Sequence, residues 1–425
     1  MPEFDLTSLL REHASRHSLP GAALGVLREG AIATAYCGVA DATTREPVTA
    51  ETRFAVGSLC KSMVATAVAQ LAADGRLSFD DAAATHVPEL MHAAWARQAT
   101  IRDLLANRSG VPLSAKLEFS DFPGEEDDVL SRFAAAVAAD EPTAASSSYT
   151  NAGWCLLGRA IETATGLTWE DAMRAGVFAP LAMDETTFAT WPVAEPRASS
   201  HDITADGPVR VERWTPRALG PAGTTLLSTA TDLLRLAAAH LEDPVLAVLR
   251  TAQSELRINA WLDAWCLGWA RFDWDGGPVW GWDGLISGDR AILRIVPERH
   301  GAVVLLTNGS TGRAMYRSLF PDLMEVSFGV TMPALRLEPS RGAAGELSRF
   351  AGEYAWPDRR YAVTATDDGL LIEGEGRRFE ALPLDGRAFL VDAADPDDPT
   401  VTFGAFDERG RPGVLYRMVW GFPRV

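Results

Sequence analysis

Phe54-Ala55-Val56-Gly57-Ser58-Leu59-Cys60-Lys61 is the stretch on which the reading of the fold turns. Phe54–Val56 reads as a short strand that ends at Gly57. From Ser58 to Ala73 the pattern becomes helical, with Met63, Val64, Ala67, Val68 and Leu71 as an apolar stripe. Asp74-Gly75 closes this helix. A serine at a strand-to-helix junction holds its hydroxyl in the positive field of a helix N-terminus. A lysine three residues on projects from the same face, one turn along. A serine hydroxyl is a weak nucleophile until a base sits beside it. A lysine amine becomes that base when burial and nearby cations lower its pKa. The alternative is a helix-capping Ser58 and a surface Lys61. Composition bears on the choice: 37 of the 39 basic residues are Arg, leaving only Lys61 and Lys116 as lysines. Arginine does not deprotonate, so a lysine kept at position 61 resists the drift of the rest of the chain.

Working outward, residues 5–17 read as a helix with Leu9, Leu10 and His13 along one side. Ala22–Arg28 and Ala31–Val39, split by Glu29-Gly30, read as a β-hairpin. Residues 80–250 are helical in texture, with Ala152–Thr165 and Leu233–Leu241 as the clearest helices. Strands return at Leu267–Trp274, Pro278–Trp282, Arg290–Val296 and Ala302–Thr307. Strands at both ends around a helical middle predict an α/β fold, an antiparallel sheet flanked by helices with an inserted helical region. Residues 331–345 read as a linker. Beyond them, short alternating strands (Tyr361–Thr366, Leu370–Glu373, Arg378–Pro383, Phe389–Val391, Val401–Phe406, Val414–Val419) predict a small antiparallel β-barrel. The expected domains are 1–335 and 345–425.

Two further motifs carry chemistry. Ser148-Tyr149-Thr150-Asn151-Ala152-Gly153-Trp154 precedes the helix near Ala152. Tyr149 and Asn151, two apart in an extended segment, point to one side. A phenol near an ammonium can have a lowered pKa and act as general base, and an Asn amide can bond both the lysine and a substrate carbonyl. The alternative is a core tyrosine and a capping Asn151. The third motif is Gly281-Trp282-Asp283-Gly284-Leu285, where a glycine on an edge strand allows close backbone approach. A strand N–H there could pair with that of Ser58 as an oxyanion hole. Alone, Trp-Asp-Gly is also an ordinary turn.

In order and spacing the three motifs resemble the serine β-lactamase and penicillin-binding-protein superfamily, nearest its class C β-lactamase-like branch. That branch includes family VIII carboxylesterases, D-aminopeptidases and penicillin-binding-protein-type thioesterases. The resemblance spans about residues 5–330. It includes Thr100-Ile101-Arg102-Asp103-Leu104-Leu105 with Ser109-Gly110, Gly220-Pro221-Ala222-Gly223 with Ser228-Thr229-Ala230, and Leu305-Leu306-Thr307-Asn308. It implies Ser58 as acylated nucleophile, Lys61 and Tyr149 as proton-transfer pair, and Asn151 as positioner. The backbone N–H groups of Ser58 and Leu285 become the oxyanion hole, and residues 345–425 a lipocalin-like barrel. Trp282 departs from the lysine or histidine that β-lactamases carry there, and matches the Trp-x-Gly of family VIII esterases. A cation binds a substrate carboxylate and tryptophan does not. Arg290, a candidate substrate-binding residue with Trp282, Asp283 and Gly284, or Arg294 would restore charge. The expectation is that at least one of these arginines is a solvated surface residue.

The expected activity is therefore that of a serine hydrolase or acyltransferase working through acyl-Ser58 on a small-molecule ester or amide, favouring a carboxylic ester, without metal or cofactor. The alternatives are a transacylase or peptide cyclase using an amine acceptor, with Arg417 of the barrel as a carboxylate contact; a β-lactamase or D-aminopeptidase; and a non-turnover ligand sensor. A net charge of −18 disfavours nucleic acid and anionic membranes. Cys37, Cys60, Cys155 and Cys266 form no C-x-x-C pair and read as free thiols. The first residues lack an apolar signal core and no run approaches a membrane span, so a cytoplasmic enzyme is expected. The sequence sets no oligomeric state. Trp261, Trp265 and Trp269 fall at helical spacing and read as core, His201 as a surface residue, and Glu125–Asp128 as a solvated loop that edges the cleft at most. His13 and His17 lack the glutamate of a zinc helix.

Overall fold

Gly21–Arg28 is apolar at nearly every position and is buried almost throughout, as a strand inside a sheet covered on both faces must be. It pairs with Ala31–Gly38 on one side and with Gly301–Thr307 on the other, Ala22 facing Cys37 and Thr307. Glu29 and Gly30 both take positive φ, +50° and +81°, as a two-residue turn matched to strand twist requires. The sheet continues through Asp289–Val296, Gly277–Ile286, Ala270–Trp274 and Ala264–Trp265, seven antiparallel strands in all. The computed structural model describes residues 5–119, 128–142, 147–189, 196–254, 262–335, 337–339, 347–393, 395, 397 and 399–425. The sheet assembled from two distant segments around a helical middle is as expected from the sequence.

Helices cover both faces. Gly25 has Leu234 of the helix Ala230–Glu242 against it, while Gly301, on the opposite face, meets Phe328 of the helix Gly312–Phe328. The inserted region centres on Cys60–Ala73, against which Asn151–Thr165 packs. Asn308 locks the hairpin to the returning strand: its Oδ1 accepts from Gly21 N at 2.8 Å and its Nδ2 donates to the carbonyls of Val39 and Ala40.

Eight further strands, from Gly352–Trp356 to Trp420–Pro423, run in sequential antiparallel order. A bridge between Tyr354 and Arg424, with Val425 N donating to Glu353 O at 3.0 Å, nearly closes them into a barrel. Its interior holds Tyr354, Trp356, Ile372, Phe389, Phe403, Leu415 and Phe422. Sequence periodicity finds six of these strands and misses the first and the last. The barrel rests on the inserted region: Ala115 N donates to Asp358 Oδ2 at 2.7 Å, and Tyr416 Oη to Ser147 O at 3.1 Å.

The tryptophan run is core but not helix. Trp265 lies on a strand and Trp269 after a turn at Gly268, whose φ is +89°. Both rings are buried, while Trp261 and residues 125–127 lie outside the described residues. All four cysteines are free and buried. Among the described residues no helix is long and apolar enough to cross a membrane.

Candidate active site

Phe54–Ala55 pairs with Leu227–Ser228, and the chain then turns through Gly57–Leu59 into the helix Cys60–Ala73. Ser58 stands at that turn. The strand Gly277–Ile286 has a neighbour on one side only as far as Gly281, whereas pairing on the other side continues to Ile286. From Trp282 onward its free edge comes against Val56–Ser58. The approach needs bare backbone. A Cβ on Gly57 would lie 2.7 Å from Leu285 N, and one on Gly284 would lie 1.7 Å from Val56 O. Ser58 and Leu285 main chains thus share one corner, as their pairing in an oxyanion hole requires.

Lys61 is wholly buried, which excludes the surface alternative. Its Nζ lies 3.1 Å from Ser58 Oγ, 3.0 Å from Asn151 Oδ1 and 2.6 Å from Ala222 O. Tyr149 Oη donates to the same Ser58 Oγ at 2.8 Å. Burial lowers the lysine to about 7, against the pull of the Glu118 carboxylate. Tyr149 goes the other way. Burial pushes its phenol well above the usual value, a larger effect than the bond to Ser58. The sequence reading allowed a lowered phenol pKa, and the dry setting reverses it: of the two groups on Ser58, the amine is the one that loses its proton near neutrality.

Glu118 was not singled out in the sequence, yet it builds this corner. It is fully buried on the short helix Ala115–Phe119. Its carboxylate accepts from Thr150 Oγ1 at 2.6 Å, Asn151 N at 2.6 Å and Ala152 N at 3.2 Å, capping the helix Asn151–Thr165 with an anion. Its carbonyl accepts from Asn151 Nδ2 at 3.1 Å, so the amide must turn its oxygen to Lys61. The one signal in the sequence is an acid between two large apolar residues, Leu117 and Phe119.

Beside Ser58 opens a cleft of about 330 Å³, walled by Trp282, Trp214, Phe119, Leu285 and Trp420. Trp282 lies edge-on to Trp265, with centroids 4.5 Å apart, and tilted to Tyr149 at 5.7 Å. The barrel supplies Met418, Val419 and Trp420. Trp420 meets Tyr149 and Phe119 edge-on at 6.0 and 5.4 Å, and Tyr149 N donates to Val419 O. Arg417 instead lies over Phe379 of the barrel; the barrel's contribution at the cleft is Trp420, three residues on.

Both arginines after the third motif are buried, so the expectation of a solvated one fails. Arg294 donates to Asp283 Oδ1 at 2.6 Å and to Tyr316 Oη at 3.0 Å, its guanidinium between Phe272 and Tyr316. Arg290 is set back from the cleft and donates to Asp397 Oδ2 at 2.7 Å. Arg313 bridges Asp283 and Asp397. Burial alone would raise Asp283, but Arg294 and Arg313 outweigh it and hold the carboxyl at about 2. Gly284 serves the backbone contact with Val56, while Trp282 and Asp283 line the cleft. His201 is buried, not on the surface, with Ala42 N donating to its Nε2 and its Nδ1 3.0 Å from Asn308 O. His13 and His17 both meet Ser318 Oγ.

A buried amine and phenol converging on one serine, at the edge of an antiparallel sheet, define a serine hydrolase or acyltransferase type of fold, that of the serine β-lactamase and penicillin-binding-protein superfamily. The chain belongs to the β-lactamase family, whose model matches residues 6–324. It is 34% identical over 365 residues to penicillin-binding protein 4 of Amycolatopsis lactamdurans, covering 80% of this chain and 94% of that one. To a β-lactamase of Escherichia coli K12 it is 25% identical over 342 residues, 76% and 86% of the two chains. Among solved structures, SurE superposes with a TM-score of 0.81 at 28% identity, covering 99% of this chain and 98% of that one. A class C β-lactamase superposes at 0.62 and 21% identity over 74% of this chain and 93% of that one. SurE thus matches the barrel as well as the sheet and helices.

Proposed function

We propose that the protein is a cytoplasmic acyl-transferring enzyme that forms an acyl-Ser58 intermediate from a neutral carboxylic ester, with 1–335 as catalytic domain and 345–425 as a barrel walling the cleft. The observation that carries this reading is the convergence of Lys61 Nζ and Tyr149 Oη on Ser58 Oγ, with burial holding the amine near neutrality. Unprotonated, Lys61 gives its two N–H bonds to the oxygens of Ala222 and Asn151. Its lone pair then faces the serine hydroxyl. Ser58 Oγ attacks the ester carbonyl carbon and its proton passes to Lys61. The Ser58 and Leu285 N–H groups receive the oxyanion. As the carbon–oxygen bond breaks, the ammonium returns the proton to the leaving alcohol, with the Tyr149 hydroxyl as relay. Water, or an amine, then takes the acyl group and regenerates the serine.

The cleft walls support an uncharged substrate. Trp282 stands in place of a cation, and Arg313, the one arginine among the described lining residues, is paired with Asp283 and Asp397. Stopped-flow turnover of p-nitrophenyl butyrate tests the reading. A burst followed by a steady state supports it, a burst alone makes the protein a sensor, and neither removes the assignment.

One observation favours transfer to an amine. SurE, whose chain this one matches almost end to end, has a structure with D-Leu. On that reading D-leucinamide, supplied with the butyryl ester, gives an N-butyryl product by mass spectrometry in excess of butyrate.

A further inference from the structure

We propose that Asp397 is a specificity-determining residue. Its carboxylate occupies the position on Arg313 and Arg290 that a ligand carboxylate would take, and so closes this wall of the cleft to acidic ligands. The inference rests on the reading that the cleft beside Ser58 receives substrate.

Three arginines converge behind this wall: Arg290 and Arg294 from the strand Asp289–Val296, and Arg313 from the first turn of the helix Gly312–Phe328. Glycines make room for them. A Cβ on Gly312 would lie 2.9 Å from Arg290 Cβ and Cγ, and one on Gly281 would lie 2.9 Å from Arg294 Cδ. Asp283 accounts for Arg294 and for one side of Arg313. The second carboxylate is not from this domain. Asp397 comes from the barrel's connection between Ala388–Leu390 and Thr400–Phe406, and reaches Arg290 at 2.7 Å and Arg313 at 3.3 Å.

Among the described residues, Arg290 and Arg294 each keep a buried Nε without a hydrogen-bond partner. The group is therefore built around charge pairing rather than saturated hydrogen bonding, and its pairing depends on Asp397. That carboxylate is itself part of the cleft lining together with Arg313 and Ser58, and its side chain keeps 23% of its exposure against 6% for Arg290. It therefore stands between the cleft and the arginines behind it. Arg317 and Asp395 lie within electrostatic reach of the same group. With Asp397 in place, a ligand carboxylate meets a carboxylate already seated.

The test is binding of sodium butyrate and of butyramide, read by the change in intrinsic tryptophan fluorescence, to which Trp214, Trp282 and Trp420 at the cleft contribute, in the full chain and in Asp397→Asn. The affinity ratio of butyrate to butyramide is expected to rise about tenfold in the variant, and to fall back as salt is raised to about 1 M, where charges are screened within a few ångströms. Asp397→Glu, which keeps the charge, is expected to hold the ratio of the natural chain. An unchanged ratio in Asp397→Asn, or a raised ratio in Asp397→Glu, overturns the proposal. This readout needs no turnover: absence of ester hydrolysis would sink the catalytic reading and leave the charge filter standing.

Discussion

The two walls of the cleft solve the problem of buried charge in opposite ways. On one side, Lys61 and Tyr149 have no counter-ion in contact among the described residues, and burial drives both toward their neutral forms, the amine to about 7. On the other, Asp283 lines the cleft with its carboxylate between two guanidinium groups, and is held ionised at about 2. Desolvation acts on both walls. What differs is whether an opposite charge lies within bonding distance. The neutral wall can give and take a proton near pH 7. The paired wall cannot, and on our proposal it holds shape and selects.

Five outcomes test this contrast, beginning with the largest. Lys61→Met removes the proposed proton acceptor and is expected to lower kcat/KM for p-nitrophenyl butyrate by about 10⁴-fold, yet to cost only about 1–3 kcal/mol of unfolding free energy, since the swap is close in volume but leaves the oxygens of Asn151 and Ala222 without that donor. Asp283→Ala does the reverse to stability: it strands Arg294 in the interior and is expected to cost about 3–5 kcal/mol in denaturant titrations. Equal stability losses in the two variants would mean that the walls are not different in kind. Glu118→Gln removes the anion that pulls the lysine upward. On the proposed mechanism the neutral amine is the active form, so the acid limb of kcat/KM should move to lower pH, with about 1–3 kcal/mol of stability lost at the two backbone N–H groups. For the unaltered protein, kcat/KM should fall tenfold per unit as pH drops below about 7 and level off above it, because protonation removes the lone pair that faces Ser58. The smallest effect is expected for Trp420→Ala, about threefold in KM, the loss of one apolar wall without change to the proton path.

How much of this could be read in advance follows the same division. Ser58 and Lys61 are one helical turn apart, and Tyr149 and Asn151 two residues apart, so local geometry alone places each pair. The hairpin, the two-ended sheet and the barrel follow from alternation and turn residues. The paired wall depends on partners far apart in the chain: Asp283 with Arg313, and Arg290 with Asp397. Arg290 and Arg294 look like the exposed positions of a half-buried strand, but the strand Asp289–Val296 is buried along its whole length. Glu118 is hidden for a similar reason, since its ligands lie 32 to 34 residues away. The four-residue spacing of the tryptophans imitates a helix that Gly268 breaks with its left-handed backbone.

Intact-mass spectrometry of the protein mixed with p-nitrophenyl butyrate and quenched within the burst tests the central claim most directly. One added butyryl group, mapped by peptide digestion to Ser58 and missing from Ser58→Ala, is the predicted result. Undiminished turnover by Ser58→Ala, or a butyryl group on another residue, would contradict it.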